Sequence, residues 1–172
     1  MAGFVFTGIL GTLLHFLFDW TTGSLPAALV SAVNESIWEH MKLLFYPMVL
    51  FAWVEYKAWG REVASFWCIK LLGILTGLAV IPVLYYTYTG ILGRSADWFN
   101  ITIFFLAAMG VYRLETRFFT KGAFCRLPAR TAIFLVFVLA LLFTAATFLP
   151  PRIPLFQDPV TGTYGFFEAV DG

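Results

Sequence analysis

Charge is what this sequence has least of. Asp, Glu, Lys and Arg make up 12% of the 172 residues, about half the share usual in a soluble domain. With 60% hydrophobic residues and 20 phenylalanines, no single aqueous core could hide the apolar surface, so lipid must be the solvent for much of the chain. The formal net charge is +1 and basic residues form no tract, which argues against nucleic acid as a partner. Two cysteines, Cys68 and Cys125, are too few for a disulfide framework. CxxC, HExxH and phosphate-loop spellings are all missing, so the commonest short motifs for zinc and nucleotide chemistry do not apply. No repeat, low-complexity run or linker interrupts residues 1–172, which read as a single integral membrane domain. No Lys or Arg precedes Leu14, so the first apolar run lacks the basic region of a signal peptide and reads as a retained span.

What is present is a series of long apolar runs. Residues 2–19, 43–59, 63–92, 97–118 and 129–149 each approach the roughly 20 residues that cross a bilayer as a helix. Pro82 falls inside the third and predicts a kink. The tail, residues 150–172, is rich in Pro and Gly and reads as an ordered loop, with a turn or small hairpin in "DPVTGTYG". The expected fold is all-α: a polytopic membrane helical bundle of about five transmembrane helices, a short amphipathic helix before the second, and the tail. Lys57 and Arg61 follow the second run, and Arg113, Arg117, Lys121, Arg126 and Arg130 flank the connection after the fourth. The alternate connections carry only Lys42 and Arg94, and the tail Arg152. The positive-inside rule then predicts a multi-pass inner-membrane protein with a cytoplasmic N-terminus and an outer C-terminus. Both cysteines would lie near the reducing side and stay unpaired.

Against this background, "SAVNESIWEHMKLLFYP" at 31–47 is unusually polar. As a continuous helix it places Glu35, Ser36, Glu39, His40 and Lys42 on one arc, and Trp38 with the apolar residues on the other. Pro26, Ser31 and Asn34 are start signals, Asn34 being a candidate cap. In the first span Gly8, Gly11, Thr12, His15 and Asp19 share a face. Small residues mark a helix-packing face, so His15 and Asp19 are expected to point into the bundle. Ionisable groups at that depth need a partner, water or a metal. The predicted orientation gathers the end of the first span, the 31–47 segment, the 94–100 loop and the tail at the outer surface.

The resulting candidate metal ligands are His15, Asp19, Glu35, Glu39 and His40. Two imidazoles with carboxylates suit a divalent Zn, Mn or Fe better than Ca. Candidate ligand-binding residues are Asn34, Glu35, Ser36, Trp38, Lys42 and Asp158, and Glu39 and His40 are candidates for a general base. The same groups could relay protons or hold a cationic solute. Each also has an ordinary reading: a solvated face with a Glu39–Lys42 pair, a His15–Asp19 bond tying helices together, an interfacial His40. Lys70 reads as snorkelling or paired with Glu55 or Glu115, and Gly73 with Gly77 as a packing face. The tail with Asp158 and Tyr164 reads as a packed terminus or a lid over the outer site.

"HFLFDW", "SAVNESIWEHMKLLFYP" and "PPRIPLFQDP…GTYG" together resemble a family of small bacterial integral membrane proteins of unknown function, with a VNES-x-WEH-x-K motif. The resemblance runs almost from end to end and places Asn34, Glu35, Ser36, Trp38, Glu39, His40 and Lys42 in the motif. It implies an inner-membrane location and brings no activity. Three functions compete: an outward-facing His/carboxylate site for a cation or small cationic ligand; a membrane-embedded metal-dependent enzyme on a lipid-like substrate; and a structural or accessory subunit. Polar groups do not continue through the bilayer below His15 except at Lys70, which favours a surface site over a transport path.

Overall fold

Within an apolar run the backbone must satisfy its own hydrogen bonds, and a single segment does this as a helix. The computed structural model, which describes residues 1–122 and 125–171, is all-α. Its elements are α1 (Ala2–Trp20), α2 (Leu25–Ala28, one turn), α3 (Ile37–Ala58), a 3₁₀ turn (Gly60–Glu62), α4 (Phe66–Leu92), α5 (Asp97–Thr120), α6 (Ala129–Phe148) and α7 (Gly165–Asp171). Among the described residues the one extended pairing is an isolated antiparallel bridge, Gln157 to Tyr164, in the expected tail turn. The tail is not loop throughout. It ends in α7, whose Phe166 packs on Phe18 and Phe148.

Three helices are long and apolar enough to cross a membrane: α1, α4 and α6. That is fewer than the five expected. The reason is visible in α3 and α5, which are as long but carry ionisable residues inside their bounds. In α3 these are Glu39, His40, Lys42, Glu55 and Lys57, and in α5 Asp97, Arg113, Glu115 and Arg117.

Helix α4 packs against α3, α5 and α6, while α1 lies on α3 and α5. Over half of the apolar window of α4 (56%) is buried by protein, against 22% for α6, although α6 has the highest mean hydropathy, 2.5. Phe134, Phe137, Leu141 and Leu142 of α6 are exposed. In water they would form an uncovered apolar face; a lipid environment accommodates them.

The glycine face of α1 does the packing its spacing predicted. A Cβ on Gly11 would lie 2.7 Å from the Leu43 carbonyl oxygen and 2.6 Å from the Phe104 ring. The carbonyl belongs to the α3 backbone and cannot swing aside. Gly11→Leu is therefore expected to push α1 off α3 and destabilise the fold by about 1–3 kcal/mol. Gly110→Ala, where the added Cβ meets nothing within 4 Å, should not lower the thermal unfolding temperature in detergent. Equal melting temperatures for the two variants would contradict this packing.

The remote end of the bundle holds the second polar group. Lys70 of α4 is buried and pairs with both carboxylates that its position suggested, Glu55 of α3 and Glu115 of α5, the latter at 2.6 Å. Aromatic rings of Phe66, Tyr112 and Phe119 surround the ammonium at 5.6–5.7 Å. Gly73 and Gly77 form an intramolecular seam: a Cβ on Gly73 would strike Glu115, and one on Gly77 would strike Leu44 and Val111. Cys68 and Cys125 are not unpaired as expected. They form a disulfide between α4 and the α5–α6 connection, with Cα atoms 5.9 Å apart. Cys125 thus lies against the start of α4, 57 residues away in sequence, an approach that spacing does not reveal.

Candidate metal centre

The polar segment does not begin as a helix. Asn34 Oδ1 accepts the Ser36 N–H at 3.1 Å, an Asx turn that keeps residues 34–36 out of helical geometry. Ser36 then caps α3, its hydroxyl oxygen accepting the Glu39 N–H at 3.4 Å. Ser36, not Asn34, is the cap, and Glu35 sits before the helix. The single arc expected for 31–47 is thereby split into two groups that face different ways.

One group faces the interior. Glu39 and Lys42, three residues apart, are both fully buried and pair at 2.8 Å. Lys42 Nζ also donates to the Ala28 carbonyl at 2.7 Å and to Thr147 Oγ1 at 3.0 Å. Glu39 accepts the Thr147 hydroxyl at 2.8 Å and the Val33 N–H at 3.2 Å. Every strong donor and acceptor of this pair is satisfied, so it ties α2, α3 and α6 together.

The other group opens to the surface. His15 on α1, Glu35 before α3 and His40 on α3 each offer one ligand atom, and these atoms all lie within 4.8 Å of one another. Glu35 Oε1 is 3.9 Å from His15 Nε2, and Glu35 Oε2 is 3.4 Å from His40 Nε2. Ligand atoms on a tetrahedral zinc stand about 3.4 Å apart when each bond is about 2.1 Å. Closing the cluster on an ion takes only a small side-chain adjustment. His40 already points its free nitrogen into the cluster, because its Nδ1 lies 3.0 Å from the Ser36 carbonyl oxygen. Donating Nδ1–H there leaves the Nε2 lone pair facing Glu35, as a metal-ligating histidine requires. The two imidazole rings lie 5.4 Å apart.

Glu35 is held from behind by the tail. Its N–H donates to Asp158 Oδ2 at 3.2 Å, while Asp158 Oδ1 accepts from Val160 at 2.7 Å and Thr161 at 3.2 Å. Asp158 is buried and acts on the backbone of Glu35. The Trp38 backbone N–H donates to the Leu155 carbonyl at 3.1 Å, and the Trp38 ring packs between Phe143 and Phe156 at 4.6 and 4.8 Å. Asp19 lies one turn beyond His15 and is exposed. Thus His15, Glu35 and His40 come together. Glu39 and Lys42 sit in the buried pair, Asn34 and Ser36 shape the entry to α3, Trp38 and Asp158 secure the tail, and Asp19 stands outside the cluster.

Beside the triad is a narrow cleft lined by Glu35, Ile37, His40, Ile81, Tyr85, Asn100, Ile103 and Phe104. Asn100 is fixed by bonds with Tyr88 and Ser95. Asn100 closes the 94–100 segment expected at this surface; Thr147 was not legible as a site-end residue, because no motif marks it and only folding brings it to α3.

A family model described as "Family of unknown function (DUF6512)" matches residues 1–166. The chain belongs to this family. No curated protein and no solved structure matches it. For this DUF6512 chain the chemistry of the triad is therefore the guide to function.

Proposed function

We propose that this DUF6512 chain is a five-span inner-membrane protein that binds a divalent transition-metal ion through His15, Glu35 and His40 at the outer surface. The observation that carries the reading is the convergence of three ligand atoms from α1, the turn before α3, and α3 itself. Two nitrogens and a carboxylate oxygen suit Zn, Mn or Fe. Three protein ligands leave a coordination position for water or a small ligand, as in open metal sites. The Ser36 carbonyl supplies the hydrogen bond that such a histidine needs. Support for the orientation comes from Lys and Arg, which concentrate in the connections at the other end of the bundle; the Cys68–Cys125 pairing at that same end argues the other way, because thiols facing the cytosol stay reduced. α3 and α5 complete the five spans, with their charges at the ends of the bundle.

Elemental analysis of the detergent-purified chain, dialysed against zinc, manganese or iron(II) and then washed, tests this. About one ion per chain is expected for the wild type, and His40→Ala and Glu35→Ala should hold almost none. A wild-type chain that retains none of the three metals would sink the proposal.

A further inference from the structure

We propose that the cavity at the Lys70 end of the bundle binds a small organic ammonium ion that carries an N–H. The site lies at the opposite end from the triad and does not depend on the metal. The cavity has a volume of about 220 Å³ and is lined by Glu55, Trp59, Lys70, Tyr112, Glu115 and Phe119. Sites for drug-sized ligands begin at about 300 Å³, so the occupant is a molecule of few heavy atoms. Glu55 lies near the end of α3, Lys70 near the start of α4 and Glu115 near the end of α5. The charged wall is therefore within reach of the surface.

The charge count favours a cation. Two carboxylates face one ammonium: Lys70 Nζ pairs with Glu115 Oε2 at 2.6 Å and with the Glu55 carboxylate, which leaves one negative charge over. Met1 also lines the cavity, but its amino group forms no ion pair with either carboxylate among the described residues. Glu115 is 2% exposed, yet its Oε1 has no hydrogen-bond partner among the described residues. Gly73 has no side chain to fill the space beside that oxygen. A buried carboxylate oxygen without a donor is costly. A proton on Oε1 would not relieve it, because the new O–H would in turn lack an acceptor. A ligand N–H satisfies the oxygen and supplies the missing positive charge in one group.

The rest of the wall selects the kind of cation. A hard metal ion such as Ca²⁺ or Mg²⁺ collects about six oxygens, whereas this wall is largely aromatic. Ring faces attract an ammonium group and pack against its methylenes. Trp59 meets Phe119 edge to face at 5.0 Å, and the Tyr112 hydroxyl is tied to Thr7 Oγ1 at 2.8 Å. The rings are thus held in place before a ligand arrives, which lowers the entropy lost on binding.

The test titrates the full chain in a non-ionic detergent with n-butylammonium chloride, followed by saturation-transfer NMR. The pH is set to about 9, below the pKa of an alkylammonium and well above that of an ordinary carboxyl. Saturable binding is expected. 1-Butanol, which lacks the charge, and tetramethylammonium, which lacks the N–H, should each bind at least about tenfold more weakly. Glu115→Gln should weaken n-butylammonium by about tenfold or more, and Trp59→Leu by about two- to fivefold. His40→Ala, at the opposite end, should bind it as the wild type does. Melting temperatures on each preparation separate loss of fold from loss of binding, and the comparison of probes is read on the wild type alone. The inference is overturned by a wild type that shows no saturable binding, by 1-butanol or tetramethylammonium binding as tightly as n-butylammonium, or by an unchanged affinity in folded Glu115→Gln.

Discussion

Lys42→Met is expected to destabilise the chain by about 3–5 kcal/mol, more than removing Lys42 and Glu39 together. The reason lies in what remains behind. Lys42 is fully buried and donates to Glu39, Ala28 and Thr147. Taking away the ammonium leaves the buried Glu39 carboxylate with Thr147 and the Val33 N–H as its polar neighbours. It also leaves the Ala28 carbonyl without its ammonium donor. Two hydrogen bonds from neutral groups do not replace a counter-ion in an apolar surround. In Glu39→Leu/Lys42→Met the stranded charge is gone, and apolar side chains refill the volume. Thermal unfolding in detergent, followed by tryptophan fluorescence, should rank the variants as wild type, double variant, then single. A single variant as stable as the double would show that the pair carries no buried charge. The pair joins α2, α3 and α6, so its loss should also loosen the end of the bundle on which the triad is built.

The buried pair shows what could be read from the residues alone. Glu39 and Lys42 are three apart, so their pairing was legible as a local helical contact. Their direction was not. The reading of 31–47 as one helix put them on the same arc as Glu35 and His40, whereas the Asx turn at Asn34 starts α3 at Ile37 and turns Glu35 away. A turn of one side chain onto its own backbone competes with helix in a way that periodicity does not register. Thr147, the hydroxyl that completes the pair, lies on α6, and nothing in its neighbourhood distinguishes it from the other threonines. His15 was legible because Gly8 and Gly11 mark the packing face below it. Asp19 continues that face in projection, but in the last turn of α1 it is Phe18 that is buried, against α2 and α7, while Asp19 and Trp20 beside it are exposed. The helices themselves followed from composition, since apolar runs bounded by Pro, Gly and charge leave few alternatives. The pairing of Cys68 with Cys125 joins positions 57 residues apart, which no run of residues encodes locally.

Asp158→Asn is expected to weaken metal binding by about 10- to 100-fold while leaving the ligands themselves in place. Asp158 touches none of the three ligand atoms. Its Oδ2 accepts the Glu35 N–H, and its Oδ1 accepts the N–H groups of Val160 and Thr161. An asparagine keeps the second set and presents an amide NH₂ to the Glu35 N–H, donor against donor. The tail turn survives and the grip on Glu35 is lost. Glu35 precedes the helix and its side chain is half exposed, so little else holds its backbone against α1 and α3. Zinc titration by calorimetry should show the loss in Asp158→Asn and a smaller one in Asn34→Ala, which loosens the same turn from its other side. A double-mutant cycle decides whether the effect passes through Glu35. In a Glu35→Ala background, Asp158→Asn should change the residual affinity hardly at all. Equal losses in both backgrounds would mean that Asp158 acts on the fold in general and not on the ligand it holds.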